Sequence, residues 1–81
     1  TLIEAAKQLG TTIFHPVGTC RMSSGSGQGG VVNSDLQVYG ISNLRICDAS
    51  IMPTITSGNT AAPTMAIAEA LAARLVQTHT T

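Results

Sequence analysis

The stretch TAAPTMAIAEALAARLVQ, residues 60–77, carries the strongest helix signal in the sequence. Its apolar side chains recur at helical spacing, and we expect them to line one face: Ala68, Leu71, Ala72, Leu75 and Val76. Pro63 is compatible with a helix only in the first turn, where no N–H donor is needed. The stretch therefore predicts a long helix whose N-terminal end lies beside Asn59.

The segments before this helix combine helix, strand and loop signals. In TLIEAAKQLG (1–10), apolar residues at helical spacing followed by Gly10 predict a first helix. TTIF (11–14) is a short run of the β type that leads to His15, and LRIC (44–47) is a compact apolar run that ends at Asp48. We predict both to be strands. SSGSGQGG (23–30) has the composition of a flexible loop.

Composition indicates that other protein covers much of this chain's surface. Hydrophobic residues make up 43% of the 81 residues, but there is one Tyr, one Phe and no Trp to anchor a core. Charged residues make up 10%, against roughly 25% in typical soluble domains. A chain this short buries only about 60% of its unfolded surface. We expect a piece of a larger protein rather than a complete independent fold.

Charge and cysteine patterns argue against several classes of function. The net charge is zero and the basic residues are scattered, so no nucleic-acid partner is expected. Cys20 and Cys47 have no metal-ligand spacing, and we expect no metal site. They leave two alternatives, a disulfide or reduced packed thiols, of which the second is favoured. Glu69 and Arg74 interrupt the only long apolar stretch, so no membrane span is expected.

The glycine-rich loop matches a dinucleotide-binding pattern by spacing alone. Gly25, Gly27 and Gly30 fit G-x-G-x-x-G. That pattern binds a pyrophosphate only where a strand precedes it and a helix follows it. Here the β-like VVNSDLQV follows, so we predict a surface loop.

His15 is the first candidate for chemistry. A purely structural interpretation is a hydrogen-bonded histidine at a strand end. Pro16 restricts His15 to extended conformations, and Gly18 lets the chain turn away, so the backbone defines the direction of the ring. A free imidazole titrates near neutral pH and can act as a general base.

Asn59 and Thr60 form the second candidate, at the start of the long helix. Helix capping explains one polar residue there. It does not explain the neighbouring small residues, Ser57, Gly58, Ala61 and Ala62. Small residues leave the exposed N–H groups and the positive end of the helix dipole open to an anionic or electron-rich ligand.

Asp48 is the third candidate, at the end of the predicted LRIC strand. Small residues follow it, beginning with Ala49. In open α/β sheets, ligands bind outside the carboxyl ends of the strands. We therefore expect a ligand near Asp48.

Three ordered blocks together resemble the C-terminal segment of the glucose–methanol–choline (GMC) family of flavoprotein oxidoreductases. The blocks are HPVGTCRM (15–22), GVVNSDLQVYGISNLRICDASIMP (30–53) and TSGNTAAPTMAIAEALAARL (56–75). The resemblance implies an FAD enzyme that oxidises a small alcohol by hydride transfer to flavin N5. It implies that His15 is the active-site base and that Asn59, at the family's second active-site position, positions the substrate oxygen. It also implies cofactor contacts from Asp48, Ala49, Asn59, Thr60 and Ala61.

The resemblance implies an α/β fold class, with this chain as the C-terminal piece of a Rossmann-like FAD/NAD(P)-binding domain. Residues 44–81 would supply the last strand and last helix of the FAD domain. Residues 1–43 would supply the histidine block and connecting strands of the substrate or cap domain. The partner would be the N-terminal FAD- and substrate-binding part, since the family's β-α-β fingerprint does not occur in this sequence. The alternative is a non-catalytic remnant or a small interaction module.

Overall fold

The computed structural model describes residues 1–79, which form two α-helices and two short 3₁₀ turns. Helix α1 spans Leu2–Leu9 and helix α2 spans Ala61–His79. The 3₁₀ turns are Ser26–Gln28 and Ala49–Ile51. Residues 1–79 form no sheet, and their β-pairing is limited to isolated bridges: Met22 with Val32, Val32 with Val38, and Gln37 with Arg45.

Helix α2 confirms the long helix predicted from residues 60–77, with Pro63 as its third residue. The face of α2 that packs against the core is rotated about the helix axis from the predicted face. Ile67, Leu71 and Leu75 are half-buried, whereas Ala68, Ala72 and Val76 are exposed. Apolar residues cover most of the circumference of this helix, so periodicity alone does not decide which stripe meets the core.

Helix α1 confirms the first predicted helix. Its N-terminus has a capping box, in which the Thr1 side chain accepts from the Glu4 N–H. Gly10 ends the helix, and its N–H donates to the Ala6 carbonyl at 2.8 Å. The apolar stripe has no cover among the described residues, because Leu2 is 90% and Leu9 is 80% exposed.

The strand predicted for TTIF is wrong. Phe14 has φ 60°, in the left-handed region that a strand excludes, and its N–H donates to the Thr12 hydroxyl at 3.0 Å. A local turn of this kind replaces the inter-strand hydrogen bonds that an apolar run makes when a neighbouring strand is present. Residues 11–14 are exposed along their whole length.

The strand predicted for LRIC, and with it the last strand of a Rossmann-like sheet, is also not formed. The Val38 N–H donates to the Leu44 carbonyl at 2.9 Å, and the Ile46 N–H donates to the Leu36 carbonyl at 3.0 Å. This pairing stops after one bridge, because Leu36 (φ 64°) and Asn43 (φ 60°) turn the chain beside it. A ladder needs successive residues in extended backbone.

The core lies between the connecting segments and α2. Val32 is fully buried, and Leu36 and Ile51 pack with it. Ile67 and Leu71 bring one face of α2 onto this cluster. At the far end of the contact, the Arg74 guanidinium pairs with the Asp35 carboxylate at 2.8 Å. Both partners are exposed, so this ion pair orients the helix more than it stabilises the fold.

The glycine-rich segment is a loop, as predicted, but it is folded back on itself. The Ser26–Gln28 turn lies at its centre, and the Tyr39 hydroxyl donates to the Ser23 carbonyl at 2.7 Å. Gly30 lies against Ser23 so closely that a Cβ would collide with it. No helix follows Gly30, which agrees with the interpretation that this is no dinucleotide site.

The exposed surface is large for 81 residues. The radius of gyration is 16.7 Å, whereas a compact domain of this length has about 12 Å. The accessible surface is 6090 Å², against about 4,600 Å² for a compact protein of this mass. Many large apolar side chains are among the exposed ones: Leu2, Ile3, Leu9, Ile13, Phe14, Ile41, Leu44, Ile55, Met65 and Val76. This agrees with the expectation of a surface that other protein covers. Among the described helices, none is long and apolar enough to cross a membrane.

Candidate functional site

The segment after His15 is hydrogen-bonded to the segment that contains Asp48. The Cys20 N–H donates to the Ser50 carbonyl and the Met22 N–H donates to the Ile51 carbonyl, both at 2.9 Å. Gly18 lies against the Met52 carbonyl oxygen, which an added Cβ would approach to 3.3 Å. We call the pairing of residues 18–22 with residues 50–52 the backbone clamp. It joins two of the three blocks that the sequence singled out.

His15 lies just before the clamp and is half-buried. Its approach differs from the prediction, because a turn at Phe14 delivers it instead of a strand end. The imidazole has no hydrogen-bond partner among residues 1–79. Both ring nitrogens are therefore free of internal partners in this part of the protein.

Asp48 opens the Ala49–Ile51 turn rather than ending a strand. Its carboxylate accepts from the Ser50 N–H at 2.8 Å and from the Ser50 hydroxyl. These two hydrogen bonds, the hydroxyl first, lower the pKa of Asp48 from its usual 3.8, because both stabilise the ionised form. The carboxylate is exposed, and Ala49 beside it is half-buried.

Ser50 was missed in the sequence analysis, although its signal is local. An Asp two residues before a Ser is the spacing at which a carboxylate caps a turn, and the D-A-S of residues 48–50 has that spacing. The Asp35–Arg74 pair was also missed. Its members lie in different segments, and neither has a neighbour in sequence that predicts the contact.

The start of α2 is open, as predicted. Thr60 is 8% exposed, and its carbonyl accepts from the N–H and the hydroxyl of Thr64, at 3.0 and 2.7 Å. Asn59 and Ala61 are exposed, and the first turn contains no acidic residue. By helix geometry, the first N–H groups have no intrahelical acceptor.

Asn59 is not connected to the backbone clamp. Its side-chain amide has no hydrogen-bond partner among residues 1–79, and no hydrogen bond there links it to His15 or Asp48. The structure thus hydrogen-bonds the segments of His15 and Asp48 to each other, and it leaves Asn59 exposed beside the start of α2 with no hydrogen bond to either. No cluster of His, Cys, Asp or Glu in the described part of the chain could hold a metal ion.

Two surface grooves lie along α2. One, of about 310 Å³, lies between Arg45, Arg74 and Asp35. The other, of about 270 Å³, is mainly apolar and is bordered by Met22 and Ile67. Neither is lined by His15, Asp48 or Asn59. The three candidate residues therefore lie outside both of these grooves.

The sequence of this chain is similar to those of a known protein family. The family model for GMC oxidoreductases matches residues 1–68. An alcohol dehydrogenase [acceptor] of Pseudomonas putida is 54% identical over 66 residues, which is 82% of this chain and 12% of that protein. The oxygen-dependent choline dehydrogenase 1 of Chromohalobacter salexigens is 45% identical over 71 residues, 88% of this chain and 13% of that protein. The mitochondrial choline dehydrogenase of Mus musculus is 47% identical over 66 residues, 82% of this chain and 11% of that protein.

The Asp48 cap predicts a pH-dependent contribution to stability in the full-length protein that contains this chain. Asp48→Ala should lower the free energy of unfolding by about 0.5–1 kcal/mol at pH 7, the low half of the range for such caps because the carboxylate is exposed. A lowered pKa in the folded state means that this contribution is present above the unfolded pKa. It is lost as the pH falls through the lowered pKa.

The difference between wild type and Asp48→Ala, measured by thermal unfolding from pH 7 down to pH 3.5, should therefore begin to shrink below about pH 4. Ser50→Ala is the matched control, because it removes only the hydroxyl hydrogen bond and should have a smaller effect. A difference that stays constant across this pH range would show that the carboxylate does not stabilise the turn.

Proposed function

The chain belongs to the GMC oxidoreductase family, and on this premise we propose that it forms the C-terminal part of an FAD-dependent enzyme that oxidises an alcohol. The family match over residues 1–68 carries the proposal. The family's members are oxidoreductases, and the relatives include enzymes named for alcohol and for choline. The chain spans about an eighth of those relatives' length, so the proposal concerns the whole protein of which these residues are one part.

His15 is the proposed general base. One ring nitrogen of the neutral imidazole accepts the hydroxyl proton of the alcohol as the carbinol carbon loses its hydride. The absence of an internal hydrogen bond to the imidazole within residues 1–79 supports this role, since a base must have a free nitrogen. Partial burial also supports it, because a half-shielded imidazole keeps a defined position while it can still meet a substrate.

Asn59 is the proposed positioning residue for the alcohol. Its Nδ2–H donates to the substrate oxygen and holds the carbinol carbon in the orientation needed for reaction. The amide is exposed and has no partner in the described chain, so it is available for such a bond. The proposal requires the rest of the protein to bring Asn59 and His15 to one substrate.

FAD, when bound, would supply the hydride acceptor. The residues at the start of α2 fit an electron-rich edge of such a group: exposed N–H donors at Ala61, the unpartnered amide of Asn59 and a first turn free of acids. Thr60 would hold this end rigid, since it is buried and its carbonyl is already bonded to Thr64. Asp48 and Ala49 are the proposed contacts from the other segment, where an exposed carboxylate can accept from a sugar or ribityl hydroxyl.

The proposed partner of this chain is the N-terminal FAD- and substrate-binding part of the same enzyme. The large exposed apolar side chains of α1 and of residues 13–14 support it, because a surface of this kind is costly in water. Their burial against that part would also explain the low charge content. A non-catalytic remnant, the alternative, would show no dependence of flavin reduction on His15.

Replacing the base tests the proposed function directly. In the full-length, FAD-loaded enzyme, His15→Ala should lower the rate constant of flavin reduction by a primary alcohol about 10²- to 10⁴-fold in stopped-flow measurements. Thr19→Ala is the control, because Thr19 is an exposed neighbour on the same segment. A rate constant within about threefold of wild type for His15→Ala would rule out the base.

An acid placed at the start of α2 tests the proposed cofactor contact. The helix end acts as about half a positive charge and is worth roughly 0.3–2 kcal/mol to a nearby anion. About 1.4 kcal/mol corresponds to roughly 30 mV for a two-electron couple. Ala61→Asp should therefore lower the flavin midpoint potential by tens of millivolts and slow reduction, while the fold is retained.

Ala73→Asp places the same charge on an exposed position further along α2 and should leave the potential unchanged. An unchanged midpoint potential in a folded, FAD-loaded Ala61→Asp enzyme would mean that the start of α2 does not face the flavin.

A further inference from the structure

The orientation of His15 depends on the backbone, because no hydrogen bond within residues 1–79 holds the ring. The imidazole has no hydrogen bond within residues 1–79, and the residues that precede it are exposed. Gly18 lies three residues after His15 and packs against the Met52 carbonyl oxygen. The position of the ring therefore depends on how residue 18 directs the chain.

Gly18 has a backbone conformation that other residues rarely adopt. Its φ is +90°, in the positive region that glycine adopts freely and that side chains with a Cβ rarely adopt. An alanine at this position would relax towards negative φ and would turn the residues before it in a different direction. The chain has another such glycine, Gly40, with φ +81°.

Gly18 also packs closely against the backbone of Met52. Its hydrogen atom faces the Met52 carbonyl oxygen, and a Cβ would come to 3.3 Å from that oxygen. Met52 is buried, and its N–H donates to the Ala49 carbonyl at 3.2 Å. By contrast, a Cβ at Gly40 would meet nothing within 4 Å.

The clamp hydrogen bonds immediately follow this contact. Cys20 and Met22 are fixed to Ser50 and Ile51, which limits how far a displacement at Gly18 is absorbed on its C-terminal side. On the N-terminal side, His15 lies three residues away and has no hydrogen bond within residues 1–79 to hold it.

We propose that Gly18 is a positioning residue for the reaction: it holds His15 at the correct angle by combining positive φ with close packing on Met52. The inference rests on the proposed function, since it assumes that His15 reacts. A substitution at Gly18 should act through His15 alone, whereas loss of fold or of FAD would affect the enzyme regardless of His15.

A double-mutant cycle in the full-length, FAD-loaded enzyme tests this. Gly18→Ala should lower the rate constant of flavin reduction about 10- to 100-fold, as a misplacement of a catalytic group near 1 Å does. FAD content and the substrate dissociation constant should stay near wild type. In a His15→Ala background, Gly18→Ala should have no further effect on that rate constant. Gly40→Ala, with similar positive φ and no contact, should leave the rate near wild type.

The outcomes separate this inference from the proposed function. If His15→Ala alone has no effect, the proposed function fails and the inference fails with it. If His15→Ala has its effect but Gly18→Ala lowers the rate equally in both backgrounds, Gly18 is only structural and the inference alone is overturned. A near-wild-type rate for Gly18→Ala also overturns it.

If Gly18→Ala does not load FAD, Gly18→Asn replaces it in the same cycle, because Asn tolerates positive φ better than Ala. Failure of both variants to load FAD, while Gly40→Ala loads it, would show that Gly18 serves folding rather than the position of His15, and would overturn the inference.

Discussion

Two backbone hydrogen bonds, from Cys20 to the Ser50 carbonyl and from Met22 to the Ile51 carbonyl, hold this chain together. The same segment also makes backbone hydrogen bonds on its opposite side, where the Val31 N–H donates to the Arg21 carbonyl at 2.8 Å. The same short strip therefore pairs with two distant segments. Val32 fills the space that results, and α2 packs on it. These hydrogen bonds of residues 20–23 therefore hold together the segments that form the core and that α2 packs against.

The clamp also links the fold to the proposed chemistry. It brings the segment of His15 against the turn that Asp48 caps, although these residues lie in separate blocks of the sequence. Asn59, at the start of α2, reaches neither of them within the described chain. In the account proposed here, the remainder of the enzyme completes the site, and it does so over the same apolar surface that this chain leaves exposed.

Local signals in the sequence predicted the helices well. Helical spacing and the stop at Gly10 predicted α1, and the helical spacing of residues 60–77, with Pro63 tolerated in the first turn, predicted α2. TTIF and LRIC failed as strands because an apolar run specifies a strand only when another segment offers its backbone. Here Phe14 and Asn43 instead adopt positive φ. Asn enters this region more readily than most residues, but no propensity of Phe indicates it. His15, Asp48 and Asn59 could be named from local patterns, but the clamp that joins the first two is a long-range contact with no local signal.

Hydrogen–deuterium exchange resolved at residues 19–23 of the full-length protein tests the clamp most directly. The N–H groups of Cys20 and Met22 are bonded across the clamp, whereas that of Arg21 has no acceptor within residues 1–79. The account predicts slow exchange at Cys20 and Met22 and faster exchange at Arg21, which lies between them. Exchange at Cys20 and Met22 as fast as in an unstructured peptide would contradict the account, because the segments of His15 and Asp48 would then not be held together.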